Sequence, residues 1–140
     1  MTTLATNLLP ARTTAVVTAL GFAAIALFQA ALALGAPLGR AAWGGGHAGV
    51  LPTGLRIASA VAIVVWTFAA LLVLERVGFS PVSLSAGFVR WGTWALVGLL
   101  VAGALMNLAS PSAWERFLWG TLALVLAVLT LVVARAGTAS

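Results

Sequence analysis

One histidine, two glutamates and seven arginines make up the charged and titratable side chains of this 140-residue chain, which has no cysteine and no tyrosine. The groups able to do chemistry are therefore His47, Glu75 and Glu115, with Arg40 and Arg56 as counter-charges near the histidine. Nucleophilic hydrolysis needs a base and an orienting acid beside the nucleophile. A single His and two Glu in separate segments do not compose such a set. A catalytic or structural metal needs several N, O or S ligands converging on one point, and one His without Cys or Asp does not supply them. No metal and no cofactor is expected, and the chain reads as a protein that is not an enzyme. Proton-coupled transport usually places a carboxylate or His inside a membrane span. Both glutamates stand at the ends of apolar runs instead. A small multidrug exporter would carry a Glu within its first helix, where this chain has Gln29.

The elements that must position these residues are set by composition. Soluble domains average about 25% charged and 45–50% apolar residues. Here the figures are 6% and 63%, with a mean hydropathy of +1.18. So few charges cannot cover so much apolar side chain in water, which makes lipid the solvent. The net charge of +5 comes from arginines scattered singly between apolar runs, so it forms no basic stripe and no nucleic-acid partner is expected. Four apolar runs, at about 14–35, 57–74, 91–108 and 113–134, are each long enough to cross a hydrocarbon core of about 30 Å as an α-helix. None alternates as a membrane strand would. The predicted fold is all-α: a single domain, 1–140, built as an antiparallel up-down-up-down four-helix bundle in the membrane. The first run is longer than the apolar region of a cleaved leader and reads as a span.

Along the first run, Ala15, Ala19, Ala23, Ala26, Ala30 and Ala33 form a small-residue face of the kind that lets helices approach closely in lipid. Ala58 with Ala62, and Gly98 with Ala102, repeat the pattern. Trp66 falls in the middle of the second run, away from the interfaces that Trp prefers. It is either a core filler bonded to a neighbouring helix or one wall of a ligand cavity. Ser112 and Glu115 have the spacing of a capping box at the start of the fourth run.

The longest break is the Gly-rich loop 36–56, which carries Arg40, Trp43, a glycine triplet, His47 and Arg56. Gln29, Ser59, Asn107 and Thr121 all fall toward the end of the bundle that this loop covers. Intramembrane polar residues are costly unless they face a bundle interior or a wet cavity. Two readings follow: these side chains bond across helices, or they floor a vestibule closed by the loop. In the second reading the ligand-binding residues are Gln29, Arg40, Trp43, His47, Arg56, Asn107, Trp114, Glu115 and Trp119. The arginine tally, Arg12, Arg76, Arg90 and Arg135 against Arg40, Arg56 and Arg116, leans toward cytoplasmic termini in the plasma membrane.

Gly39 to Ser59, with its GRAAWGG, GVLP and GLRIAS stretches, and Met106 to Gly120, with MNLAS and WERFLWG, resemble a group of small four-span membrane proteins of high-GC actinobacteria to which no activity is assigned. The resemblance implies a habitat and a four-span fold, and no chemistry. The expected function is a non-catalytic binding or accessory protein whose loop-capped pocket takes a membrane lipid or a hydrophobic small molecule. The alternatives are an oligomer or a subunit of a membrane complex joined through the Ala face of the first helix, or a pore made of several copies.

Overall fold

The computed structural model describes residues 2–79 and 81–136, with side chains for 10–79 and 81–136. The chain forms four long helices: α1 (Thr2–Ala33), α2 (Thr53–Arg76), α3 (Ala86–Leu108) and α4 (Gly120–Ala136). A π-helical turn, Glu115–Trp119, leads into α4, and two 3-10 turns, Gly39–Ala41 and Trp43–Gly45, shape the long loop. No strand occurs among the described residues, and the four helices pack against one another as an all-α bundle.

The helices overrun the apolar runs because a helix satisfies its own backbone whether or not its last turn is apolar. At its start, α1 passes through Pro10, with Thr14 Oγ1 donating back to the Pro10 carbonyl at 2.8 Å. α2 ends where Gly78, at φ +86°, turns the chain; the amide of Phe79 reaches back to the Leu74 carbonyl at 3.0 Å. α3 is capped by Ser85, whose hydroxyl accepts the Phe88 amide. The tail after Arg135 lies almost wholly outside the described residues.

Between 22% and 33% of each apolar stretch is buried inside the bundle. Leu20, Leu27, Val64, Leu105 and Phe117 point outward. A water-soluble bundle would hide such side chains, and exposed apolar area on this scale marks a surface made for contact. Four helices long and apolar enough to span a bilayer make this a multi-pass membrane protein by length and composition.

The closest partners are α1 with α2 and α3 with α4, joined by a seam between α1 and α4. In that seam Gly21 faces Leu126 so closely that a Cβ would lie 2.6 Å from its Cδ2. The alanine face of α1 is divided: Ala15 and Ala26 are buried in the bundle, whereas Ala23 is exposed. Gly98 and Ala102 both face outward. α2 and α3 meet beside the turn that links them, through Phe68 against Phe88 and Leu72 against Gly92. Farther from that turn, Trp66 of α2 and Leu99 to Asn107 of α3 border a cavity.

Candidate functional site

The site is built by the loop folding down as a lid over the open end of the bundle. Gly39 permits the fold, since a Cβ there would press on the carbonyl oxygens of His47 and Gly49, the latter at 2.7 Å. Its amide donates to the Gly49 carbonyl at 2.8 Å and closes the loop on itself. Trp43 and Gly44 both take positive φ, 53° and 84°. This conformation is strained for Trp and free for Gly, and it turns the Gly44 amide toward the bundle.

The lid is then pinned to separate elements. Trp43 Nε1 donates to Ser59 Oγ of α2 at 3.0 Å. The Gly44 amide donates to Glu115 Oε1 at 2.8 Å. Ser112 Oγ donates to the Arg40 carbonyl at 2.9 Å, and Trp119 Nε1 donates to the Ala41 carbonyl at 2.8 Å. Phe28 of α1 packs its ring 4.5 Å from that of Trp119. Three of these four hydrogen bonds are partly buried, where an unmade bond would cost free energy, and the Ser112–Arg40 bond is exposed.

Glu115 is the centre of this arrangement. Its backbone amide meets Ser112 Oγ at 3.4 Å, which is half of the expected capping box. The other half is missing: the carboxylate turns away from the Ser112 amide, which bonds Ser110 Oγ instead at 3.1 Å. Glu115 Oε2 accepts the Ser110 hydroxyl while Oε1 accepts Gly44. The residue is 8% exposed, and no ion pair reaches it among the described residues. The sequence pattern S-x-x-E predicts a solvated cap; the lid turns it into a buried acceptor.

Beneath the lid lies a cavity of about 560 Å³. Among the residues singled out by the sequence, Gln29, Trp43, Asn107, Glu115 and Trp119 line it. Trp66 also lines it and stacks at 5.7 Å on Phe22 of the core, so it fills the core and borders the cavity at once; no indole bond is seen among the described residues. Gln29 Oε1 is buried and has no partner. Met106 and Leu99, both exposed, mark the side where the cavity reaches the outer face of the bundle.

Four of the expected contacts stand elsewhere. Arg56 bends back to donate to the Ala33 carbonyl at 3.0 Å, closing the end of α1. Its long side chain reaches an unpaired helix-end carbonyl, which is the usual sink for a cation there. Arg40 and Trp114 border a separate hollow outside the lid, with Pro37 and Leu38. His47 is exposed on the lid's outer surface, because its own carbonyl is what packs against Gly39. Of the four polar residues gathered toward this end, Thr121 is exposed and leaves the set, since it follows a π turn that shifts the register of α4. Ser59 is buried and consumed by Trp43.

Sequence reasoning missed Ser110, Phe28 and Gly103, which also line the cavity. Ser110 has a readable signal, since it shares the Ser-Pro-Ser turn that aims Glu115; the other two look like ordinary span residues. Among the described residues no three His, Asp or Glu side chains cluster as metal ligands would. The chain gives no match to family models, to curated proteins or to solved structures. Its chemistry is therefore read from the cavity.

Proposed function

We propose that this protein is a non-catalytic binding or accessory protein of the plasma membrane, with cytoplasmic termini, that holds a hydrophobic small molecule or lipid under its lid. One observation carries the reading: a mostly apolar cavity into which Gln29, Asn107 and Glu115 converge from three different elements, one of them leaving a buried oxygen without a partner. Small-molecule sites have this character, with volumes of roughly 300–1,000 Å³, apolar walls and a few placed polar groups. Orphaned buried acceptors cost free energy unless something donates to them. The orientation follows from the arginine balance.

The oligomer reading is weakened by the burial of Ala15 and Ala26, which are already used to pack the monomer.

Gly103 provides the test. A Cβ added there meets nothing within 4 Å, and the residue lines the cavity, so Gly103→Phe fills the space without displacing a wall. Native mass spectrometry of the protein extracted from its own membranes should find a retained small molecule in the wild type and none in Gly103→Phe. A clean ligand-free mass for the wild type overturns the proposal.

A further inference from the structure

The sign of the cavity's charge narrows what it accepts. Among its lining residues there is no Arg, Lys or His, and the single ionisable group is Glu115. The three arginines of this end of the bundle are directed elsewhere. Arg56 is bonded to Ala33, Arg116 donates to the Ser110 carbonyl through Nε and Nη2 at 3.3 and 3.1 Å, and Arg40 borders the hollow outside the lid. A phosphate or carboxylate head would therefore meet a carboxylate and no counter-charge.

The walls agree with that sign. The indole N–H groups of Trp43 and Trp119 are both spent, on Ser59 and on the Ala41 carbonyl. Trp119 already has Phe28 tilted against it at 4.5 Å, so what these rings leave for a guest is the remaining π surface, which attracts cations. Trp119 is one helical turn from Glu115, and Trp43 adjoins the Gly44 amide that holds the carboxylate. Phe28 and Trp66 complete the aromatic lining. A carboxylate offers about four lone-pair sites. Ser110 and Gly44 fill two of them, and the rest are open to a donor. Gln29 Oε1 adds a further acceptor without a partner.

We propose that the ligand is an amphipathic organic cation: an ammonium group set at Glu115 and Gln29 between the aromatic walls, on an apolar body that fills the remaining space. This rests on the reading that the cavity holds a hydrophobic molecule, and it names its class. The cation enters from the lipid past Leu99 and Met106, so its apolar body stays out of water throughout.

Three probes sharing one naphthyl body separate the possibilities: 1-naphthylmethylamine, protonated at neutral pH, 1-naphthylmethanol and 1-naphthoate. Binding is measured by equilibrium dialysis of the purified full chain in a neutral detergent against empty micelles. The ammonium should bind roughly tenfold more tightly than the alcohol, with the carboxylate weakest. Glu115→Gln should bring the ammonium to the alcohol's level and leave the alcohol unchanged. Ser110→Ala, which loosens the same latch but keeps the charge, should preserve the preference. If the alcohol or the carboxylate binds as tightly as the ammonium to the wild type, the cation proposal is overturned while the binding reading stands. If none of the three binds, the binding reading falls as well. The wild-type series decides the matter even if Glu115→Gln does not fold.

Discussion

The two glutamates sit at opposite ends of the bundle and perform similar mechanical work in unlike surroundings. Glu75, at the end of α2, accepts the amides of Val82 and Ser83 on one oxygen, at 2.9 and 2.7 Å, and so gathers the α2–α3 connection. Around that end, Arg12 donates to the Val77 carbonyl and lies 5.2 Å over the Phe79 ring, while Arg76 donates to the Ala134 carbonyl at 2.8 Å. The core there includes the buried side chains of Val73, Val77, Val89 and Val133. Glu115 gathers the lid, but it does so from the wall of a cavity and with no cation in contact among the described residues. Both ends carry arginines; the lid end differs in bordering a cavity whose lining has Glu115 as its one ionisable group. Glu75 takes both of its bonds on one oxygen, whereas Glu115 uses both oxygens and does so from the wall of the cavity.

Ways to break this comparison can be ranked by size. Leu126→Ala, in the tight seam between α1 and α4, should cost the most, about 2–5 kcal/mol, read as a lowered unfolding temperature in detergent. Met106→Ala at the cavity mouth, where the side chain is 75% exposed, should leave that temperature unchanged. If the two fall together, the cavity end is packed as closely as the other.

Glu115→Ala removes the acceptor of a partly buried amide and a buried hydroxyl, a loss of roughly 1–3 kcal/mol for a buried group left orphaned. Limited proteolysis should then cut the 36–52 loop. Glu75→Ala exposes its two amides to water at the membrane surface and should cost under about 1 kcal/mol. Equal losses would mean that the lid latch is no more buried than the opposite turn.

Gly44→Ala places a Cβ at φ +84°, with about 1–2 kcal/mol of strain. It should loosen the lid by the same proteolytic measure, to a smaller extent than Glu115→Ala. Smallest is Gly98→Ala on the outer face of α3, where the added methyl meets nothing. It should stabilise the helix by roughly 0.5–1 kcal/mol. A loss there would reveal a partner packed on that face.

Much of the architecture was legible because its signals are local and additive. The four spans, the lid loop and the terminal-side connection follow from runs of apolar residues, and a helix can be read one turn at a time. Gln29 and Asn107 stood out for a similar reason, each interrupting an apolar span at a known distance from its end, although the sequence left open whether they bond across helices or face a cavity. Trp66 was readable only as a choice between two roles, and it takes part in both, stacked on Phe22 of the core and bordering the cavity.

By itself, then, the sequence determined the number of long apolar helices, that each is long enough to span a bilayer, and the end at which polar groups collect, since hydropathy sums over neighbours without needing a partner. Only the tertiary structure decided where the long side chains go. Arg56 could have faced the vestibule as easily as the Ala33 carbonyl, and Glu115 could have capped its own helix. The choice rests on groups tens of residues away, the Gly44 amide and the carbonyl at the end of α1, that come within hydrogen-bond reach once the chain has closed. The charge facing the cavity is set by Gly44 and by the nearby Ser110 together, and only the Ser110 part is local.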